Sequence, residues 1–302
     1  IARIWIMDKI ASVVEWDEDE QPNFVVMSDT GPYYGVHLFN NAGELRAEKQ
    51  VQRLMIGTDG AWRIEIASLD HARAMPVPGK IDGSGSDVFV LPIKTLAAIR
   101  ATTYSPKYSF QLNGYGDFRS DLLATNSIMQ GVATPNEPIN VLEVISDGKW
   151  TLEIGNALTN SIGVTIPNSV LTPTPMPSIL FPTPTPIDDS PNVVASYQGE
   201  GDSVVDIEKQ DGPAIMRINA NAKGSYFSIT SYDADGSLVE PIFTTNSPVS
   251  GTYPLDFSDN DESARLEINT SDPWTIDLLP LATARTLSVP GVIEGQGSEV
   301  IV

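Results

Sequence analysis

Residues able to do acid–base or metal chemistry are few in this sequence and scattered along it. His37 and His71 are the only histidines, and cysteine is absent. His37 lies in the strand-like run "GVHLF", and His71 follows a tryptophan hairpin in "SLDHARA". Catalysis needs groups that converge with tuned proton affinities. No His-Glu-x-x-His or Gly-x-Ser-x-Gly supplies such a group, so the sequence predicts no catalytic residue and no enzyme. The Gly-x-Gly of "GSGSD" (Gly83 to Asp87) lacks a following helix and reads as a bend before a strand rather than a phosphate loop.

Carboxylates offer the other chemistry. "EWDEDEQ" carries Asp17 and Asp19 among three glutamates, and "DFSDNDES" carries Asp256, Asp259 and Asp261. Hard cations want clustered oxygens, and calcium tolerates irregular loops. Calcium is therefore the one cofactor these runs suit, although neither matches an EF-hand and a solvated acidic loop is the plainer reading. Asn269-Thr270-Ser271 is a lone glycosylation sequon, and the threonines between prolines are candidate glycan sites.

Composition narrows the partners. The chain carries 18 basic and 39 acidic residues, a net charge of -21. Such a surface repels phosphate backbones and anionic bilayers, so neither nucleic acid nor a membrane surface is an expected partner. No apolar run approaches the ~18 residues of a membrane span. With neither a signal peptide nor an initiator methionine, the chain reads as a processed form or a piece of a larger product.

The elements that must carry these residues are strands. "YFSITSY", "ARLEI" and "WTLEI" alternate apolar and polar side chains, with Gly, Asn, Asp and Pro between runs. The expected fold is all-β, a series of tandem β-sandwich domains. Three segments share one hairpin pattern: "LMIGTDGAWRIEI", "LEVISDGKWTLEI" and "LEINTSDPWTIDL". Each places a tryptophan (Trp62, Trp150 or Trp274) at the start of its second strand. Three matching placements favour a core role over sugar stacking. The modules predicted from these anchors span 1–69, 70–166 and 190–281.

Between the second and third modules lies "PNSVLTPTPMPSILFPTPTP". Alternating prolines fix φ and remove amide donors, so residues 167–189 read as an extended linker. At about 3.1 Å per residue its twenty-residue core reaches ~60 Å. Ile179, Leu180 and Phe181 in its middle are candidates to dock on a groove.

One phrase recurs. "VPGKIDGSGSDVFV" (Val77 to Val90) opens module 2, and "VPGVIEGQGSEVIV" (Val289 to Val302) closes the chain, with nine of fourteen positions identical. Module 3 has a weaker copy around Gly199 and Gly201, and module 1 has none. Residues 282–302 are thus a surplus lead strand, and module 1 lacks one. An incomplete sandwich exposes a sheet edge that a donated strand can fill. Val289, Val292, Ile293, Val300, Ile301 and Val302 are the candidate assembly residues.

The Gly-x-Gly lead, the Asp233–Gly236 turn and the "DGKWTLEI" hairpin resemble tandem sandwich repeats, Ig-like or jelly-roll-like, of bacterial cell-surface and filament proteins. The Thr-Pro spacers are similar to those in exported proteins of filamentous bacteria such as Chloroflexota. The resemblance implies an extracellular, non-enzymatic architecture. The expected function is a structural subunit of an extracellular filament. The chain itself is its partner, and the tail enters the first module of the next subunit. Other readings stay open: an adhesin or carbohydrate-binding stalk, a segment of a longer array, and a role for "IARIWIM" either as the donor strand itself or, in a self-sufficient monomer, as the replacement for the missing lead.

Overall fold

The computed structural model describes residues 1–7, 11–16, 22–28, 32–38, 52–104, 109–155, 193–221, 226–257 and 262–302. These residues form an all-β, multi-sheet structure. The strands of module 1 are β1 (Ala2–Ile6), β2 (Ala11–Trp16), β3 (Pro22–Ser28), β4 (Tyr33–His37), β5 (Arg53–Gly57) and β6 (Ala61–Ile66). After the short β7 (Arg73–Ala74), module 2 contains β8 (Gly79–Ser84), β9 (Asp87–Thr95), β10 (Ala98–Thr103), β11 (Phe110–Tyr115), β12 (Arg119–Thr125), β13 (Gln130–Ala133), β14 (Ile139–Ser146) and β15 (Lys149–Gly155). Module 3 contains β16 (Ala195–Glu200), β17 (Ser203–Asp206), β18 (Ala214–Ala220), β19 (Phe227–Tyr232), β20 (Leu238–Thr245), β21 (Val249–Leu255), β22 (Arg265–Asn269) and β23 (Pro273–Pro280). Two strands close the chain, β24 (Gly291–Gln296) and β25 (Glu299–Ile301).

The period-two pattern explains the strands. In β6, Trp62 and Ile64 are buried while Arg63 and Glu65 face outward, and β15 and β23 repeat the scheme around Trp150 and Trp274. Inward rows from two facing sheets make one core per module. Phe89, Leu112, Val144 and Trp150 lie in the second, and Phe227, Ile229, Leu266 and Trp274 in the third.

The topology of module 2 is diagnostic. Its sheets run β8-β15-β10-β13 and β9-β14-β11-β12, with β7 added beside β9. Counted from the first strand of the module to the eighth, these orders are 1-8-3-6 and 2-7-4-5, the jelly-roll arrangement. Module 3 repeats it as β16-β23-β18-β21 and β17-β22-β19-β20. Module 1 has the same two sheets, β24-β6-β1-β4 and β25-β5-β2-β3. Its first and second strands therefore come from residues 291–301, and its third to eighth from residues 2–66. "IARIWI" is the third strand of module 1, not its missing lead, because β1 pairs with β4 and β6 in the middle of its sheet.

Candidate assembly site

The tryptophans and the Gly-x-Gly leads, distant in sequence, are two halves of one device. In module 2, the indole Nε1 of Trp150 donates to the carbonyl of Gly85 at 2.8 Å. In module 3, Trp274 donates to Gly201 at 3.1 Å, and in module 1 Trp62 donates to Gly297 at 2.9 Å. The accepting glycines have φ of 76, 77 and 75°, the left-handed region where a side chain is strained. The other glycine of each lead lies against the ring. A Cβ on Gly83, Gly199 or Gly295 would come within 2.1, 2.6 or 2.3 Å of the indole Cζ2. One glycine makes room for the tryptophan and the next turns its carbonyl to the indole N–H.

In module 1 this lock joins residues 235 positions apart. β24 pairs with β6 from Gly291↔Ile66 to Gln296↔Ala61, and β25 pairs with β5 from Glu299↔Ile56 to Ile301↔Leu54. Ile293 and Ile301 enter the core of module 1 beside Ile4, Ile64 and Trp62. Arg63 Nη1 bonds Glu294 Oε1 at 2.5 Å across the new strand pair. Burying an aliphatic side chain contributes about 1.5–3 kcal/mol, so Ile293 and Ile301 each help to seat the hairpin.

The same strands also meet module 3. Thr252 N donates to Ser298 O at 2.9 Å, Val300 N donates to Thr252 Oγ1 at 3.0 Å, and Tyr253 OH donates to Ser298 Oγ at 3.1 Å. Val300 packs with Val14, Ile215, Phe257 and Leu279, a cluster drawn from modules 1 and 3. Modules 1 and 2 meet through the equivalent groups. Val36 N donates to Ser86 O at 3.0 Å, and Val88 packs with Ile1, Val36, Ala67, Tyr115 and Val141. Val88 and Val300, like Ser86 and Ser298, are 212 positions apart. At that spacing Leu54 to Val90 aligns with Leu266 to Val302 without a gap, with 17 of 37 positions identical. The order along the array is therefore module 3, module 1, module 2, with one joint used twice.

Two arginines of the repeat, Arg73 and Arg285, tie the connectors to the modules that follow them. Arg73 pairs with Asp87 and lies over the Phe89 ring, while Arg285 pairs with Glu299 and lies over the Trp62 ring. Sequence reading missed both. Extending the Val-Pro-Gly repeat upstream to Leu69 and Leu281 would have found them.

The joint between modules 1 and 2 also seals in polar groups. Glu143 Oε2 accepts from Tyr115 OH at 2.6 Å, and Oε1 accepts from Leu38 N at 3.1 Å. His37 Nδ1 stands 4.0 Å from Oε1, and its other ring nitrogen bonds Tyr33 OH. Burial pushes His37 down to about 4, against the opposing pull of Glu143. Burial first, and Glu143 second, raise Tyr115 above the ordinary phenol range. His71, by contrast, lies in the connector between the modules, where its carbonyl accepts from Arg3 Nη2 at 2.9 Å.

The candidate assembly residues divide by burial, and Val300 and Ile301, on opposite faces of β25, are covered by the joint with module 3 and by the core of module 1 respectively. Ile293, Val300 and Ile301 are buried; Val289, Val292 and Val302 are exposed. Trp62, Trp150 and Trp274 are all buried, so none presents a ring for sugar stacking. Asp256 is buried, paired with Lys209 at 2.8 Å and bonded by the backbone and hydroxyl of Ser263. Its oxygens are committed to an internal ion pair. Asp17, Asp19, Asp259 and Asp261, and the linker residues Ile179, Leu180 and Phe181, lie outside the described residues. Among the described residues, no group of three or more metal-ligating side chains converges, and no helix is long and apolar enough to cross a membrane.

No family model matches the chain, and no curated protein matches it. Among solved structures it is similar to the PBSX exported protein XepA, with 10% identity, 67% of this chain and 85% of that one covered, and a TM-score of 0.20.

Proposed function

We propose that the chain is a structural subunit of an extracellular or cell-surface polymer, joined head to tail by donation of the hairpin Gly291–Ile301 to module 1 of the next subunit. One observation carries this reading: module 1 draws two of its eight strands from the far end of the chain. The donating body is module 3 with its attached hairpin. The receiving body is residues 1–155. Covalently, only residues 156–192 join the two bodies. A segment of that length reaches beyond about 100 Å when extended, enough to serve either its own module 1 or a neighbour's. Within one chain the hairpin closes the molecule; between chains the same contacts form a heterologous joint, which propagates instead of closing. The role is architectural, with no catalysis. Strong acidity and the Thr-Pro spacer suit an exported surface.

Mixing two single-cysteine variants tests it, since the chain has no cysteine of its own. Glu65 and Val292 are register partners across β6 and β24. Oxidising a mixture of Glu65→Cys and Val292→Cys chains should give a disulfide-linked pair. Exclusive bridging within a Glu65→Cys/Val292→Cys double variant, with no linked pair from the mixture, would refute exchange between chains.

A further inference from the structure

We infer that module 3 carries a docking face for module 2 of a second copy, so that the 3–1–2 array continues as 3–1–2–3–1–2. The inference rests on reading the chain as a self-assembling subunit but uses a different surface from the donated hairpin.

One valine recurs in three equivalent positions. Val88 follows the Gly-x-Gly lead of module 2 and Val300 that of module 1. In module 3, where Gly199 and Gly201 serve Trp274 as Gly83 and Gly85 serve Trp150, the equivalent residue is Val204. Val88 and Val300 are 0% and 1% exposed because a preceding module covers each; Val204 is 64% exposed. An isolated exposed valine would mean nothing. This one sits in the setting that its counterparts use for docking. In module 2 the covered face also holds the Tyr115–Glu143 hydrogen bond at 2.6 Å. Module 3 has the same pair at the same register, Tyr232 to Glu267 at 2.7 Å, on the same outer sheet face as Val204. The docking face of module 2 is thus rebuilt on module 3, but with its valine open to solvent.

The covering surface is equally recognisable. Module 1 covers Val88 with Val36, whose strand partner Arg3 is ion-paired to Glu65. Module 3 uses Thr252 beside Arg217–Asp277, with 2.8 Å between the charges. Module 2 has the same set: Val132 partners Arg100, which pairs with Glu153 at 2.7 Å. Val132 is half-buried, and the end of β9 and the turn from it into the Arg100 strand expose Ile93 and Leu96 at 60% and 51%. Module 2 therefore presents a third covering surface, and module 3 a third docking face, at opposite ends of the array. Each joint already in the chain pairs one of each kind. A second copy is the occupant that supplies the missing partner, with Val132 over Val204 and the amide of Val132 aimed at the Asp202 carbonyl. Such an end-to-end contact is heterologous and does not close.

Sedimentation velocity over a range of concentrations reads the contact. The parent chain should associate, and Val204→Glu should weaken association about tenfold or more with unchanged melting of the monomer. In a mixture of Val132→Cys and Val204→Cys chains, a short bismaleimide should link unlike chains. A parent that stays monomeric at every concentration, as expected if this face takes a different protein, overturns the inference. So does a Val204→Glu chain that associates like the parent, or a mixture that does not cross-link. The Glu65/Val292 pair reports hairpin exchange independently. Cross-linking at that pair with none at Val132/Val204 removes this inference and leaves hairpin donation standing; the reverse result removes donation alone.

Discussion

Replacing Gly295 by alanine tests the lock that holds the closing hairpin. The added Cβ would stand 2.3 Å from Cζ2 and 2.7 Å from Cε2 of Trp62, well inside contact distance. The ring has little room to retreat. It is fully buried, its N–H is committed to Gly297, and Arg285 lies over its face at 5.6 Å. Overpacking of this kind costs about 1–3 kcal/mol, and displacing the indole forfeits a buried hydrogen bond worth about 1 kcal/mol. A combined cost of ~2–4 kcal/mol raises the opening equilibrium of the hairpin roughly 30- to 1,000-fold. Amide hydrogen exchange in a peptide covering 291–301 measures that opening directly. The control is Gly155→Ala, where the nearest atom to the new Cβ is 3.8 Å away. If exchange of 291–301 in Gly295→Ala stays within twofold of the parent, the steric lock is not what seats the hairpin.

Further outcomes follow from the same contacts. Trp62→Phe keeps an aromatic ring but loses the bond to Gly297, and should lower stability by about 1–2 kcal/mol in urea titration. Lys209→Met leaves Asp256 buried without its cation, and should destabilise module 3 by about 3–5 kcal/mol in the same assay. His37 is held neutral in the fold with its pKa lowered to about 4, below the ordinary 6.5. The unfolded chain therefore binds the extra proton between those values. Its contribution is fully present above pH 6.5 and is lost as pH falls toward 4, by about 3 kcal/mol. Melting curves of the parent and His37→Gln at pH 7 and pH 4.5 should show the parent losing more stability across that interval. Removing residues 289–302 should abolish exchange protection in β5 and β6 while sparing the core strands of module 2.

The strands, the three tryptophan hairpins and the repeated Val-Pro-Gly phrase were legible in the sequence because they are local. Side-chain alternation has a period of two, turns need particular residues, and a repeat needs only comparison of the chain with itself. The surplus of one lead and the deficit of another were legible as well. What the glycines were for was not: the reason for Gly295 is a ring 233 positions away, and nothing near either residue announces the other. Likewise Glu143 reads as an ordinary outward residue of a strand. Only the packing of module 1 over module 2 turns that outward face into an interior and makes the Tyr115–Glu143–His37 cluster a buried one.

By itself, then, the sequence determined the all-β class, the repeated hairpins and the presence of an unaccommodated lead strand, since backbone geometry imposes these within a few residues. Tertiary structure alone decided which module the lead completes, which faces of the sandwiches meet, and that the valine of one face in three is left uncovered. Those outcomes depend on contacts between residues remote in the chain, where hydrophobic burial selects the partner without regard to sequence distance.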